Sequence, residues 1–127
     1  MMVADSDVLI DYLRGKGAAA RIELELSTGR LATTVVNAFE LRAGAPSAKR
    51  LNAVEILLDA LHILPLDDTA ASEAAEIQRE LSASGAPIAL ADCLIAGICR
   101  RHGGVLITRN RKHFERVPRL ALSSSVE

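Results

Sequence analysis

The sequence predicts a three-layer α/β domain, with a parallel sheet of four or five short strands and helices on both faces. Short apolar, β-branched runs alternate along the chain with stretches of helical periodicity. The runs are apolar at consecutive positions, as expected when helices cover both faces of a sheet. The chain has 127 residues, half of them apolar, which is enough to bury a core and suggests one domain over residues 1–127. Tyr12, Phe39 and Phe114 are its only aromatic residues, so Ala, Leu, Ile and Val must fill that core.

Val3 and Ala4 form a short apolar lead into Asp5, and Ser6 is placed to cap a helix through Leu9, Ile10 and Leu13. Gly15 and Gly17 break it. Ile22 and Leu26 mark a second helix over residues 18–27, stopped by Gly29. LATTVV, residues 31–36, is rich in β-branched residues and predicts a strand. Residues 37–43 predict a helix ended by Gly44 and Pro46. Ser47 caps a long helix carrying Leu51, Val54, Leu57, Leu58 and Leu61. HILPL, residues 62–66, is a short strand that Pro65 confines to an edge. Asp67, Asp68 and Thr69 open a helix that runs to Ser84, where Gly85 and Pro87 interrupt. Residues 88–102 are helical again, residues 105–108 are a strand, and residues 120–123 form a last one.

The net charge of -1 supplies no global attraction to nucleic acid or to a membrane surface. Locally, residues 100–119 hold seven bases (Arg100, Arg101, Arg109, Arg111, Lys112, Arg116 and Arg119) against one acid, Glu115. Cys93 and Cys99 match no metal or redox spacing and are expected to be core residues in a reducing compartment. An acid at position 5 interrupts any secretory apolar region, and no apolar run is long enough for a membrane span. A cytoplasmic location is expected.

In open α/β sheets, ligands bind at the carboxyl ends of the strands. Asp5 follows the first strand, Glu40 lies about a turn past the second, Asp92 opens the helix feeding residues 105–108, and Asn110 lies just beyond that strand. Singly, Asp5 reads as a capping acid and Glu40 as a solvated helix residue. Asp92, inside the apolar stretch IALADCLIAGIC, would be a buried carboxylate, which is costly unless paired or metal-bound. Together, three converging carboxylates would repel by about 4 kcal/mol per pair at 4 Å in an effective dielectric of 20. A divalent cation removes that penalty, and carboxylate and amide oxygens are the hard ligands of Mg2+ or Mn2+. Such a site polarises a phosphodiester and activates water. The neighbouring bases would hold the backbone of the substrate.

DSDVLIDYL, NAFELRAG, APIALADCLIAGICRRHGG and LITRNRKHFERVPRL occur in order across essentially the whole chain. Together they resemble PIN-domain ribonucleases, specifically the VapC-type toxins of toxin–antitoxin pairs. The resemblance implies strand order 3-2-1-4-5, which sets the first and fourth strands side by side. It assigns the family's acids to Asp5, Glu40 and Asp92, with Asp5 and Asp92 ligating Mg2+ most directly. It also assigns the family's two hydroxyl positions to Ser6 and Thr108, which are expected to bind the substrate. It implies metal-dependent RNA hydrolysis, frequent homodimers, and silencing by a cognate antitoxin that feeds a segment into the site. Asn110 stands where many members carry a fourth acid. Asn also occurs there in this branch, and the lower charge points to one metal rather than two.

Two other readings compete. DSDVLID superficially resembles the opening of haloacid-dehalogenase-type phosphotransferases, whose first Asp is a nucleophile, but the usual Gly-Thr pair is missing. A degenerate PIN fold acting as a partner-binding module would explain Asn110 but not three intact acids. Among the bases, Arg109 is nearest the site and is the expected substrate contact, whereas Arg111, Lys112 and Arg116 read as solvated. His113 reads as structural. With few aromatic residues there is no stacking platform, so discrimination would rest on RNA shape.

Overall fold

The computed structural model describes residues 1–124. Its sheet is built from strands of two or three residues: β1 (Met2–Ala4), β2 (Ala32–Thr34), β3 (His62–Leu64), β4 (Val105–Ile107) and β5 (Ala121–Leu122). All neighbours pair in parallel, in the order β3-β2-β1-β4-β5, as the family resemblance implied. β3 is an edge strand, and Pro65 falls just beyond it, where its missing N–H costs the ladder nothing.

Side chains alternate across the sheet, and each face closes a separate core. Val3, Ala32 and Leu106 point to the layer formed by α5 (Asp68–Ala83), α6 (Leu90–His102) and α7 (Arg111–Phe114). Ala4, Leu31 and Ile107 point to the layer of α1 (Ser6–Arg14), α2 (Ala19–Leu26), α3 (Val35–Gly44) and α4 (Ala48–Asp59). Each fully buried Leu or Ile contributes about 1.5–3 kcal/mol. Cys93 and Cys99 are free thiols in the first core, as their spacing suggested. Gly97 lets α5 and α6 meet closely, since a Cβ there would stand 2.7 Å from the Ala70 carbonyl oxygen.

Several boundaries differ from those expected, each for a local reason. Asp5, not Ser6, caps α1, with its carboxylate accepting the Ser6 N–H at 2.8 Å. The strand expected over residues 31–36 ends at Thr34, because the Thr34 hydroxyl accepts the Asn37 N–H and starts α3 two residues early. Helix α6 begins at Leu90 rather than at residue 88, since Ala89 is extended. Strand β4 stops before Thr108, and β5 covers only Ala121–Leu122 of the expected residues 120–123. Helix α7 was not anticipated, its four residues being too few to show periodicity.

Candidate active site

At the carboxyl ends of β1, β2 and β4 the N-terminal parts of α1, α3 and α6 converge, with Asp5 as the N-cap of α1, Glu40 in the second turn of α3 and Asp92 in the first turn of α6. Asp5 is 6% exposed. Its Oδ1 accepts the Ser6 N–H and the Asn37 side-chain amide, both at 2.8 Å, and its Oδ2 accepts the Thr108 hydroxyl at 2.7 Å. The Ser6 hydroxyl donates to Glu40 Oε1 at 2.7 Å. Ser6 and Thr108, expected at the substrate, therefore commit their hydroxyls to holding two carboxylates.

Asp92 lies in the first turn of α6, whose N-cap residue Ala89 provides no side-chain bond. The carboxylate favours the partial positive charge at that helix end. The expected burial of this helix holds from Cys93 onward, but its opening turn faces out, with Leu90 exposed and Asp92 half-buried. Desolvation is the main cause that raises the Asp92 carboxyl above the ordinary range. The charge of Asp5 adds to the shift, His113 opposes it, and Glu40 adds further. Asp5 and Glu40 are joined through the Asn37 amide, and Asp92 faces them across the same edge of the sheet.

The amide nitrogen of Asn110 faces Asp92 Oδ2 at 3.5 Å, and its backbone N–H donates to Thr108 Oγ1 at 2.9 Å. Asn110 thus donates to an acid where a fourth carboxylate would repel it. His113, expected to be structural, lies half-exposed with Nδ1 3.8 Å from the same Asp92 oxygen. Among the described residues, Asp5 and Glu40 have no Lys or Arg partner within 4 Å, unlike Asp67, Glu73 and Glu76. The basic segment is largely consumed elsewhere. Arg100, Arg101 and Arg119 pair with acids at the start of and along α5. Arg111 donates to the Ser123 carbonyl and Arg116 to that of Pro87, so neither is simply solvated. Arg109 keeps its place at the rim, with its Nε 3.0 Å from Asp11 Oδ2.

Three residues of this network were not picked out from the sequence. Asn37 is fully buried and its amide spans Asp5, Ser6 at 2.9 Å and Glu40 at 3.5 Å. The signal for it was Thr34 and Asn37 at capping-box spacing, concealed by the β-branched Val35 and Val36. Asp7 and Asp11 stand one turn apart on α1 and look like ordinary helix acids in the sequence. Asp7 Oδ2 accepts the Arg109 backbone N–H at 3.0 Å, and Oδ1 is buried without a partner among the described residues.

Burial, then the charge of Asp5, pushes the Asp7 carboxyl up to about 6, against the opposing backbone N–H groups of Arg109 and Val8. The native state therefore holds the Asp7 proton more tightly than the unfolded chain, whose value is 3.8. Its contribution to stability is full below the unfolded value and is lost as pH rises through about 6. In metal-free protein, Asp7→Asn is expected to raise the melting temperature at pH 7–8 and to change it little at pH 4. A difference that does not vary with pH, in melts with EDTA, would refute this origin.

The donor set is suited to a hard divalent cation: carboxylate oxygens that have no Lys or Arg partner among the described residues. Among the described residues, no three Asp, Glu, His or Cys side chains stand close enough to close a ligand shell by themselves. Mg2+ requires less, because it commonly binds through one or two carboxylates and retains its waters. Asp5 and Asp92 meet that requirement, with Glu40 beside them.

The fold and the sequence have relatives among known proteins. The profile of the PIN domain family matches residues 2–120. The tRNA(fMet)-specific endonuclease VapC of Shigella flexneri is 30% identical over 117 residues, covering 89% of this chain and 89% of the relative. Ribonuclease VapC10 of Mycobacterium tuberculosis is 36% identical over 115 residues, covering 90% and 86%. The crystal structure of DNA-bound VapBC from Salmonella typhimurium superposes with a TM-score of 0.85 at 28% identity, covering 97% and 98%. With the family profile running from β1 to the start of β5 and the acids gathered at the carboxyl edge of a 3-2-1-4-5 sheet, the chain belongs to the PIN domain family.

Proposed function

We propose that the protein is an endoribonuclease toxin of a toxin–antitoxin pair, a single domain over residues 1–127 that cleaves RNA at the site of Asp5, Glu40, Asp92 and Asn110. The observation that carries this reading is the gathering of three acids that have no Lys or Arg partner among the described residues, two of them joined through Asn37, in a fold shared with ribonucleases over nearly the whole chain. Asp5 and Asp92, with Glu40 beside them, are the residues that would hold Mg2+ or Mn2+. When bound, the ion supplies Lewis-acid polarisation of the phosphodiester and lowers the pKa of an attacking water. The protein's own part is positional. Asn37 and Thr108 fix the rotamer of Asp5, and Ser6 fixes that of Glu40. Asn110 steadies Asp92 without adding a charge. Arg109 offers the RNA backbone a cation at the rim.

Two surfaces support the proposed partners. A groove lined by Ile10, Leu13, Leu41 and Val54, with Arg14 and Arg50 among its lining residues, reaches Glu40. It suits an amphipathic antitoxin segment carrying acids, and VapBC complexes are the setting of the structural neighbours. Val35, Phe39 and Leu90 are 39%, 67% and 63% exposed on the neighbouring face, which supports a homodimer. None of the described helices is long and apolar enough to cross a membrane. A cytoplasmic location agrees with an RNA substrate.

Bulk tRNA is the first substrate to assay, since relatives at 30% identity carry tRNA in their names. Wild type with Mg2+ is expected to cleave it, and both EDTA and Asp92→Asn are expected to stop cleavage. Calorimetry with Mn2+ should show one tight site. Cleavage that survives both EDTA and Asp92→Asn would refute a metal-assisted acidic centre.

A further inference from the structure

Asp11 lies apart from the acids that would hold the metal, yet it is 2% exposed. A carboxylate removed from water in this way must be hydrogen-bonded or paired. Its Oδ2 accepts the Ala18 N–H at 3.0 Å and stands 3.0 Å from the Nε of Arg109. The turn between α1 and α2 closes around it. Gly17, with φ +56, lies so close that a Cβ would fall 2.3 Å from Oδ2. One turn earlier on the same helix face, Asp7 Oδ2 takes the backbone N–H of Arg109 at 3.0 Å. Arg109 is thus gripped twice by α1, once at its backbone and once at its side chain. Its side chain is still 51% exposed, its contact with Asp11 is an ion pair closest at Nε, and its terminal Nη nitrogens make no hydrogen bond among the described residues.

We propose that Asp11 is a positioning residue for the substrate: it holds Arg109 through Nε, so that the two Nη groups are presented to an RNA phosphate at the rim of the acidic site. The proposal rests on RNA being the substrate. A guanidinium already held in place loses little rotamer freedom when the phosphate arrives, and it has five donors to divide between two anions. Lysine cannot take this role, because its ammonium has no separate Nε to anchor while other donors reach outward. An acidic centre that repels phosphates also requires a fixed cation at its entrance. The alternative is that Asp11 only closes the turn between α1 and α2. That role needs an oxygen for the Ala18 N–H but no charge and no Arg109.

The variants Asp11→Asn, Arg109→Lys and the double variant separate these roles. Asparagine keeps an oxygen for Ala18 and the size of the side chain, whereas lysine keeps the charge of Arg109 on a half-exposed residue. In steady-state cleavage of bulk tRNA with Mg2+, each single variant is expected to raise KM about tenfold, with the loss falling on KM and not on kcat. The double variant should be no worse than either single one. In NMR relaxation without RNA, the order parameter of the Arg109 Nε, its signal identified by its absence in Arg109→Lys, should be high in wild type and fall in Asp11→Asn. A loss confined to kcat, or full rescue by Arg109→Lys, would overturn the positioning role while leaving the ribonuclease reading intact. If Asp11→Asn fails to fold, the wild-type order parameter decides, and a value as low as that of an exposed arginine would overturn the positioning role. A wild type that cleaves no tRNA with Mg2+ overturns the ribonuclease reading and the substrate role with it, even if the Arg109 guanidinium is rigid.

Discussion

Asp5→Asn is expected to lose RNA cleavage by on the order of a thousandfold while folding like the wild type. Asp5 has two roles that this substitution separates. It caps α1, and Asn caps a helix as well as Asp does. The remaining oxygen can keep the bonds from the Ser6 N–H and the Asn37 amide, and the Thr108 hydroxyl can turn to accept from the new NH2 group. Stability should therefore change by less than about 1 kcal/mol. The negative charge is lost, and with it one of the two carboxylates best placed for Mg2+. Circular dichroism melts and a tRNA cleavage assay measure the two roles independently. Cleavage at the wild-type rate would move the chemistry away from Asp5.

Phe114→Ala is expected to destabilise the protein by about 3–5 kcal/mol. Phe114 is the largest fully buried side chain and belongs to the core under α5 and α6. Helix α7 has four residues, far too few to be stable by backbone bonding alone, so this ring is its anchor. Against a total stability of about 5–15 kcal/mol, the loss is a large fraction. The same anchor fixes the loop that bears Arg109 and Asn110, so cleavage should weaken even at temperatures where the variant stays folded. Urea denaturation measures the first effect. A midpoint shift no larger than that of an exposed substitution would show that the ring does not hold the segment.

The alternation of apolar runs and helical stretches made the layers legible, because strand and helix each leave a distinct period in the chain. Asp5, Glu40 and Asp92 could be picked out because each stands after a strand or near the start of a helix, on the side where the sheet's carboxyl ends meet. The bonding around them was less legible. Thr34 reads as a strand residue until its hydroxyl is seen capping α3. Asn37 shows one helix position in the sequence, but three site residues meet at its amide in the fold. The basic run of residues 100–119 looked like one patch, yet most of it pairs with acids of α5 or with backbone carbonyls.

By itself, the sequence determined the α/β class, the order of elements apart from α7, the two free core cysteines and which three acids to propose for the site. These depend on composition and local periodicity, which a linear chain displays directly. Only the tertiary structure decided which donors hold each carboxylate, that Asn110 serves Asp92 as a donor, and that Arg109 belongs to Asp7 and Asp11. Those pairings join positions up to 103 residues apart, such as Thr108 and Asp5. A hydrogen bond reaches only about 3 Å, so nothing local in the chain encodes it until parallel strands set the ends of β1 and β4 side by side.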